Sequence, residues 1–452
     1  MKRPFSSLLT CALVLSASAT PFARADAPTP PDITPTATTP DIHARETFAV
    51  IWERLQGSGF HGQHEGLDWD ALKAAHQPAI EQAQDLASLR REIRKLLDDM
   101  KASHLELIPS EAFPKPGETP PPGDATLGLR LTIIGRNVVV EGVDAGFPAE
   151  RAGIRPGWIV NRIDKFDFDT VFKKGVDGAP LQRRGLTMLQ MEANAAVGSV
   201  AAGTRIALAM HDPRGRPRTI ALTAARVAQA ETVELPGLPP ISLHYAQQRL
   251  PLSNGGCVLK LRFNLWALPV FDHVADALRE HGDCAGVIID LRDNPGGLVA
   301  SVSAVAGLFF DRPTSLGTMT TGGGDLKLAV LPREVSNDGR DIRRFNGPLA
   351  ILTDRASISC SDIFPASMQA LGRARIFGDT SAGMALPAAS TRLPSGDALL
   401  YPIAEFVDAG GRRIEGVGTH PDTLAPPTLA ALRAGHDPAV DAAVAWIAGK
   451  PH

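Results

Sequence analysis

Three serines alternate directly after an apolar run. The segment Ile351-Leu-Thr-Asp-Arg-Ala-Ser-Ile-Ser-Cys-Ser-Asp carries Ser357, Ser359 and Ser361. A Ser at the start of a helix is most often an N-cap, whose oxygen accepts a backbone N–H. Three alternating serines exceed what capping requires, and a strand-to-helix corner is a place where a nucleophile is displayed. The pattern therefore fits either a helix cap or a serine nucleophile.

Two adjacent glycines end a second apolar run. In Ile288-Ile-Asp-Leu-Arg-Asp-Asn-Pro-Gly-Gly-Leu, Gly296 and Gly297 precede a predicted helix. Backbone N–H groups at such a junction can point at an anion, as the oxyanion hole of an acyl-transfer enzyme requires. A tight turn between a strand and a helix explains the same pair equally well.

Together the two segments resemble the Asp-Leu-Arg-x-Asn-Pro-Gly-Gly and Ser-x-Ser-x-Ser-Glu motifs of the C-terminal processing (tail-specific) peptidases. This resemblance implies that Ser359 is the nucleophile of a serine peptidase. It also implies that Gly296, Gly297 and Cys360 form the oxyanion hole. No cofactor is expected, and no His/Cys spacing suggests a zinc or other metal site.

One position departs from the pattern of this family. Many members activate the serine with a Lys farther along the chain, but the corresponding residue here is Met384. The only Lys after Ser359 is Lys450, near the C-terminus. Because a thioether neither takes up nor releases a proton, a Ser–Lys dyad of the usual kind is excluded.

Another base must therefore activate the nucleophile. The tricorn-like branch of the same superfamily uses Ser, His and Glu, and two segments here resemble its motifs: Ser103-His104 before an apolar run, and Glu415 before a Gly-Thr-His-Pro-Asp turn. The resemblance implies that His104 is the base and that Glu415 orients it. Alternatives remain: His104 as a capping or surface residue, His420 as the base, and Asp422 as the orienting carboxylate.

Helical periodicity precedes His104. Apolar side chains recur at helical spacing from residue 42 to Leu107. They include Phe48, Ile51, Trp52, Leu55, Leu89, Ile93, Leu96 and Leu97. We expect an N-terminal helical region at residues 42–112, followed by a Pro-rich linker at Phe113–Gly123.

Residues 124–228 contain short β-rich runs broken by Gly and Pro. From Pro148 to Ile163 they resemble the PDZ signature of a Pro-Ala-x-x-Ala-Gly helix, a Gly turn and an apolar strand, with Trp158 where Asp is usual. The resemblance implies a PDZ domain whose Leu127-Gly128-Leu129 loop binds the terminal carboxylate of a peptide.

Residues 233–449 alternate apolar β runs with helical segments, which predicts βαβ units and a partly parallel sheet. The predicted strands are Val258–Phe263, Ala285–Arg292 and Leu349–Thr353, and the predicted helices are Pro269–Glu280 and Val299–Phe310. The expected fold class is mixed α/β. The resemblance implies a ClpP/crotonase-like serine peptidase core, with the PDZ domain inserted after the helical region.

The N-terminus indicates export. Residues 1–25 combine a basic start, an apolar stretch at Leu8–Ala19 and small residues before a cleavage site after Ala25, as in a signal peptide. A lipoprotein anchored at Cys11 is the alternative. Residues 26–41 predict a mobile leader rich in Pro, Thr and Ala. We expect a periplasmic or secreted protein with no integral membrane segment after cleavage.

The net charge and the cysteine positions bear on the expected partners and on a possible disulfide. The 452 residues carry a net charge of −3 without a basic block, so nucleic acid is not an expected partner. Cys257 and Cys284 each open an apolar run. On neighbouring strands they would form a disulfide in an oxidising compartment, or else remain two reduced core cysteines.

The function expected from these features is that of an exported serine endopeptidase acting on polypeptides, with recognition of their C-terminus by the PDZ domain. The alternative is a catalytically inactive, peptidase-like binding or scaffold protein that kept the fold after losing the Lys. No pattern in the sequence indicates an oligomeric state.

Overall fold

A computed structural model describes residues 42–58, 67–114, 123–175, 181–228, 230–253, 255–330 and 332–450. The predicted signal peptide, the predicted leader and most of the predicted linker lie outside these residues. Among the described residues, no helix has the length and apolarity needed to cross a bilayer.

The first part of the chain forms three helices and one short strand. They are α1 (Ala44–Gly57), α2 (Trp69–Glu81), α3 (Leu86–Asp99) and β1 (Glu106–Ile108). Asp68 caps α2 by accepting the Ala71 N–H, so a side chain satisfies one of the backbone donors left open at the helix start. The apolar faces of the helices form one cluster with later residues such as Leu399.

The predicted helical pattern up to Leu107 is wrong beyond α3. Helix α3 ends at Asp99, and the chain then turns through Lys101 and His104, which both have positive φ. Such a conformation is incompatible with continuing a right-handed helix. The chain emerges from the turn as β1, which pairs antiparallel with a strand near residue 400.

The second part is an antiparallel sheet with a long helix beside its edge. Its elements are β2 (Ala125–Thr126), β3 (Leu129–Ile134), β4 (Asn137–Val143), α4 (Pro148–Arg151), β5 (Ile159–Ile163), β6 (Phe166–Asp167), α5 (Phe168–Lys174), α6 (Arg183–Gly198), β7 (Arg205–His211), β8 (Pro217–Thr223) and β9 (Ala225–Arg226). The main strand order is β3-β4-β5-β7-β8, so β3 is an edge strand, and α6 packs against it.

The third part contains the largest core. Its elements are β10 (Glu231–Val233), β11 (Ile241–Leu243), β12 (Tyr245–Pro251), β13 (Cys257–Phe263), α7 (Pro269–Glu280), β14 (Gly286–Asp290), α8 (Val299–Ala306), β15 (Thr314–Thr321), β16 (Gly324–Val330), β17 (Leu349–Thr353), α9 (Cys360–Ala370), β18 (Arg375–Gly378), β19 (Ala388–Arg392), β20 (Ala398–Pro402), β21 (Glu405–Asp408), β22 (Thr423–Leu424), α10 (Leu429–Arg433) and α11 (Pro438–Ala448).

A six-stranded sheet in the order β12-β13-β14-β17-β18-β22 is the centre of this part. All its neighbours are parallel except β12 and β13, which confirms the expected partly parallel sheet and the mixed α/β class. Helix α7 and strand β17 have the predicted bounds, whereas α8 ends at Ala306 rather than Phe310. Because β14 and β17 are parallel neighbours, the turns that follow them meet at the same edge of the sheet.

Two further connections close the architecture. Strand β1 pairs with β20, and β20 pairs with β19, so the first part of the chain contributes a strand to a sheet of the third part. A disulfide joins Cys257 at the start of β13 to Cys284, two residues before β14. Of the two readings that the sequence allowed, the structure therefore has the bridged pair.

Candidate active site

Ser359 occupies the turn between β17 and α9. Its φ of 60° and ψ of −117° are rare for a residue with a side chain, and such strain is held only by surrounding contacts. Two contacts hold the Ser359 N–H, which donates to the Met384 carbonyl (2.8 Å) and to the Asp362 carboxylate (3.1 Å). The side chain is fully buried, and its Oγ has no hydrogen-bond partner in the described part of the chain.

The other two serines of the triplet are engaged in the scaffold. Ser357 Oγ donates to the Leu291 carbonyl (2.8 Å), which ties the turn after β17 to the turn after β14. Ser361 Oγ accepts the indole N–H of Trp266 (2.9 Å). Among the three, only Ser359 has a hydroxyl without a hydrogen-bond partner among the described residues, so it stands at the N-cap position of α9 without a side-chain capping bond.

Asp362 fixes the segment that carries Met384. Its carboxylate accepts the Ser381 hydroxyl and the N–H groups of Gly383 (2.9 Å) and Met384 (3.2 Å), besides that of Ser359. Burial raises the pKa of Asp362 to about 6, although these hydrogen bonds act in the opposite direction. The side chain therefore ties the Ser359 turn to the Ser381–Met384 segment.

The glycine pair lies against the nucleophile. A Cβ on Gly296 (φ 100°) would stand 2.5 Å from the Ser359 Cβ, and one on Gly297 (φ 139°) would stand 2.2 Å from the Trp266 carbonyl oxygen. Only glycine fits either position. The two amides differ, however. The Gly296 N–H donates to Asn294 Oδ1 (2.9 Å), whereas no acceptor is found for the Gly297 N–H within the described residues.

This difference corrects the predicted oxyanion hole. Gly296 supplies the close approach to Ser359, but its amide is already engaged by Asn294. Cys360 begins α9 directly after Ser359, so its amide lies at the helix N-terminus, and its thiol donates to the Gly297 carbonyl (3.2 Å). The Gly297 amide therefore remains a candidate donor, and the role of the Cys360 amide stays the one that the family resemblance implies.

His104 lies in the turn between α3 and β1 and is buried, with 2% of its surface exposed. Its Nδ1 is 2.8 Å from the Ser103 hydroxyl, and its Nε2 has no partner among the described residues. Burial, reinforced by the positive charge of Arg184, lowers the pKa of His104 to about 3. The ring is therefore neutral at neutral pH and is not the surface residue or helix cap that the sequence left open.

Glu415 lies near the Ser103–His104 pair. One of its carboxylate oxygens accepts the Ala385 N–H (2.7 Å), and the nearby Ser103 hydroxyl acts to lower its pKa. Burial outweighs this effect and raises the pKa of Glu415 to about 7. No hydrogen bond joins Glu415 to the His104 ring within the described residues; the group close to both is the Ser103 hydroxyl. The Ser-His dipeptide was visible in the sequence, but its Ser had no role assigned.

The competing candidates lie elsewhere. The His420 ring is exposed and contacts the Thr380 hydroxyl (3.1 Å). The Asp422 carboxylate accepts the Ile376 N–H (2.8 Å) at the start of β18. Within the described part of the chain, neither side chain has a hydrogen bond or ion pair with His104 or Ser359, so neither alternative is supported.

Met384 connects the two halves of the site. Its carbonyl accepts the Ser359 N–H, and its side chain lines the same cavity as His104. Ser359 Oγ and His104 Nε2 are both buried and both without partners, so they are not hydrogen-bonded to each other in this arrangement. Met384 thus contacts Ser359 through its carbonyl and lines a cavity with His104, while the serine and the histidine have no hydrogen bond between them.

Helix α6 packs against this site from the second part of the chain. Arg183 donates to the Ser381 carbonyl (2.6 Å), and Gln190 donates to the Asp354 carboxylate (2.7 Å). Asn194 donates to the Asp293 carboxylate (2.9 Å), next to the residue that holds the Gly296 amide. One face of α6 thus contacts the turns after β14 and β17 and the Ser381 segment.

The predicted carboxylate-binding loop is engaged within its own domain. The Leu127 N–H donates to the Val197 carbonyl (2.7 Å), and the Gly128 N–H donates to the Thr126 hydroxyl (2.9 Å). Leu129 is buried at the start of β3. In this arrangement the loop does not present successive open N–H groups to a carboxylate.

A buried ion cluster holds the loop that carries the glycines. The Arg292 guanidinium binds Asp290, Glu141 from β4, and Asp437 at the start of α11. Burial alone would raise the pKa of Asp290, but Arg292 and Arg262 outweigh it and hold that pKa well below its usual range. Asp290 and Arg292 therefore act as scaffold groups for this loop.

Comparisons with known proteins agree with this chemistry. The chain is 26% identical over 403 residues to the chloroplastic C-terminal processing peptidase of Tetradesmus obliquus, covering 84% of this chain and 77% of that protein. It is 23% identical over 305 residues to a "Probable CtpA-like serine protease" of Staphylococcus haemolyticus, covering 66% of this chain and 52% of that protein. These similarities assign the chain to the serine peptidases.

The core also resembles a known family. Residues 261–425 match the model of Peptidase family S41, so this part of the chain is similar to that family. In fold it is similar to the photosystem II D1 C-terminal processing protease (TM-score 0.53, 20% identity, 86% of this chain and 94% of that one). It is also similar to mature CPAF (TM-score 0.54, 14% identity, 89% of this chain and 96% of that one).

Proposed function

We propose that this protein is an exported serine endopeptidase that cleaves polypeptides through an acyl-enzyme on Ser359. One observation carries the proposal. The Ser359 hydroxyl is buried without a hydrogen-bond partner among the described residues, in a strained strand-to-helix turn inside a peptidase core. An unsatisfied buried hydroxyl is costly, and such groups are retained where the chemistry needs them.

His104 is the proposed base, and the Ser103 hydroxyl decides which of its nitrogens can act. A hydroxyl has one proton. If Ser103 donates that proton to ionised Glu415, it can only accept from His104, so Nδ1 carries the ring proton. The lone pair on Nε2 is then available for the proton of Ser359. The site therefore works as Ser359, His104, Ser103 and Glu415, a serine–histidine–glutamate system with an added hydroxyl.

The proposed reaction uses only these groups. Substrate binding brings Ser359 Oγ and His104 Nε2 together, because a catalytic hydrogen bond often tightens only in the complex. Oγ attacks the scissile carbonyl carbon while Nε2 takes its proton, and the Gly297 and Cys360 amides bind the oxyanion. The imidazolium then protonates the leaving amine, and water attacks the acyl-enzyme by the reverse sequence.

The second part of the chain is proposed to be a PDZ domain that recruits polypeptides. Its sequence signature, its antiparallel sheet with α6 beside the edge strand β3, and the contacts of α6 with the active-site turns support this role. Peptides bind such a domain as an added strand on the sheet edge. Here the Asn194 amide already pairs with both the N–H (2.7 Å) and the carbonyl (2.8 Å) of Leu131 in β3, so a peptide must displace it.

Export is proposed from two features. The signal-like segment at residues 1–25 resembles those cleaved on secretion. The Cys257–Cys284 disulfide is of a kind that persists in oxidising compartments and is rare in the cytosol. Together they support a periplasmic or secreted location for the mature enzyme.

Labelling with a fluorophosphonate, which reacts with activated serines, tests the proposal. We expect the wild-type protein to be labelled, Ser359→Ala to be unlabelled, and His104→Ala to be labelled at least a hundredfold more slowly, since a positioned base contributes about that much. Ser253→Ala, which removes an exposed serine, is the matched control and should react like the wild type.

Each outcome has a separate meaning. Equal labelling of Ser359→Ala and the wild type would show that the nucleophile is another residue. Full reactivity of His104→Ala would show that His104 is not the base, but it would leave the assignment of Ser359 as the nucleophile intact. A correctly folded wild-type protein that is neither labelled nor able to cleave unfolded protein would favour the peptidase-like binding protein.

A further inference from the structure

A cavity of about 300 Å³ lies beside His104 and has a mostly apolar wall. The apolar lining residues are Leu97, Leu105, Leu107, Pro109, Met188 and Met384. They come from three separate parts of the chain: the α3–β1 region, helix α6 of the proposed PDZ domain, and the segment held by Asp362. The cavity is thus assembled only when these parts are packed together.

The polar lining does not select for one sign of charge. Two Arg residues and two acidic residues (Arg94, Arg184, Asp98 and Glu106) complete the wall. His104 adds a ring that is neutral and whose Nε2, though buried, has no partner among the described residues. Apolar area with a few convergent polar groups is typical of a ligand site.

We propose that this cavity binds one apolar side chain of the substrate, from a residue adjoining the scissile peptide bond. The proposal rests on the function proposed above. Its geometric basis is Met384, whose carbonyl accepts the Ser359 N–H and whose side chain lines the cavity beside His104. A side chain held there lies beside His104 and beside the segment whose Met384 carbonyl contacts Ser359.

The two methionines set the breadth of the preference. A Met side chain is unbranched and polarizable, so it adapts to irregular shapes better than a branched residue does. The cavity therefore accepts the class of apolar side chains rather than a single amino acid. Met384, which stands where the resembling family has its catalytic Lys, becomes a specificity residue in this protein.

Cleavage of a randomised peptide library, with the sites mapped by mass spectrometry from two residues before to two residues after the cut, tests the proposal. We expect wild type to enrich apolar over charged residues at one of these positions by about 10- to 200-fold, the range that apolar pockets provide. Met188→Ala and Met384→Ala enlarge the cavity and should shift that position toward aromatic residues. Met188→Phe fills it and should shift the position toward small residues.

Met191→Ala is the matched control, because Met191 lies on the same helix, is similarly half-buried and does not line the cavity. It should leave the cleavage profile unchanged. Opposite shifts from enlarging and filling cannot arise from general loss of stability. If the variants are labelled by fluorophosphonate and cleave with the wild-type profile, the cavity proposal is wrong and the peptidase stands. If wild type is neither labelled nor active, both proposals fail.

Discussion

The chemistry of the site depends on the direction of one hydroxyl proton. In the proposed mechanism, ionised Glu415 takes a hydrogen bond from Ser103 and His104 keeps its proton on Nδ1, which leaves Nε2 able to accept. With Glu415 protonated, the carboxyl can donate to Ser103, and Ser103 can donate to Nδ1. The ring proton then lies on Nε2, and His104 cannot act as a base toward Ser359.

The pH dependence follows from this switch. Burial raises the pKa of Glu415 to about 7, so the carboxyl is protonated below that pH and ionised above it. We expect kcat/KM to rise with pH and to level off above an apparent pKa near 7. The pKa of His104, at about 3, lies too low to produce this rise in kcat/KM near pH 7. The measurement is the pH profile of cleavage of a fluorogenic peptide.

Glu415→Gln separates this explanation from an ordinary histidine titration. The amide keeps the shape of the carboxyl but has no ionisation, so the rise near pH 7 should disappear and the residual rate should be low and flat. Glu405→Gln, at a carboxylate paired with Arg413 outside the site, is the control and should retain the rise. If kcat/KM of Glu415→Gln still rises near pH 7 as in the wild type, the group that titrates there is not Glu415.

The sequence alone indicates the main side chains of the candidate site but not the contacts between them. The Ser triplet, the Gly pair, His104 and Glu415 are recognisable because their neighbours form motifs. The position of Ser103 between His104 and Glu415 depends on a turn with positive φ at His104, which no local pattern specifies. The engagement of the Gly296 amide by Asn294 is likewise a property of the folded loop.

At the scale of elements, helix α6 has two kinds of contact along one face. Toward its own sheet, Asn194 pairs with the edge-strand groups of Leu131, and toward the core the same amide donates to Asp293. Edge-strand groups are the ones that an added peptide strand would use. Peptide binding at β3 therefore competes with Asn194 for the same two hydrogen bonds.

Asn194→Ala should strengthen peptide binding for this reason. Each hydrogen bond contributes about 0.5–1.5 kcal/mol net, so removing the competing pair should tighten the Kd by about fivefold or more. The measurement is fluorescence anisotropy with a peptide that ends in an apolar residue and a free carboxylate, using Ser359→Ala as the background to prevent cleavage.

Asn161→Ala is the control, since Asn161 contacts Asp169 and His211 in the same domain but does not touch β3. It should bind like the background protein. An amidated peptide measures how much the terminal carboxylate contributes. Equal affinity of Asn194→Ala and the background protein for the free-acid peptide would show that peptides do not bind along β3.

The elements that sequence periodicity predicts well are those with local signals. Helix α7 and strand β17 are bounded as expected, because an N-terminal Pro and an unbroken apolar run define them. Strand β1 was missed because it has three residues and its pairing joins Glu106 to Leu400, far apart in the chain. A strand defined by a distant partner has no period of its own to detect.

At the scale of the whole molecule, a few long-range connections bring the site together. The β1–β20 pairing holds the part that carries His104, the α6 contacts hold the proposed PDZ domain, and the Arg292 cluster joins β4, the glycine loop and α11. Burial of several charges at such a junction requires their partners to stay together. The proposed catalytic groups are therefore assembled from segments that no single region of the chain contains.

The Cys257–Cys284 disulfide stabilises the central sheet of this assembly. It closes a loop with a sequence separation of 27 residues, and the chain-entropy model gives about 3.5 kcal/mol for a loop of that length. The double variant Cys257→Ser/Cys284→Ser should lose about this much free energy of unfolding in urea. Ser replaces Cys with little change in volume but buries two hydroxyls, so the reduced wild type, which lacks these hydroxyls, is the comparison that reports the cross-link itself.

Reductant provides the control within the same experiment. Dithiothreitol should lower the urea midpoint of the wild type toward that of the double variant and leave the variant itself unchanged, because Cys360 takes no part in the bridge. Wild type produced in a reducing cytosol should behave like the reduced protein until it is oxidised. Identical midpoints for oxidised wild type and the double variant would show that the bridge adds no stability, and would remove one of the two features that support export.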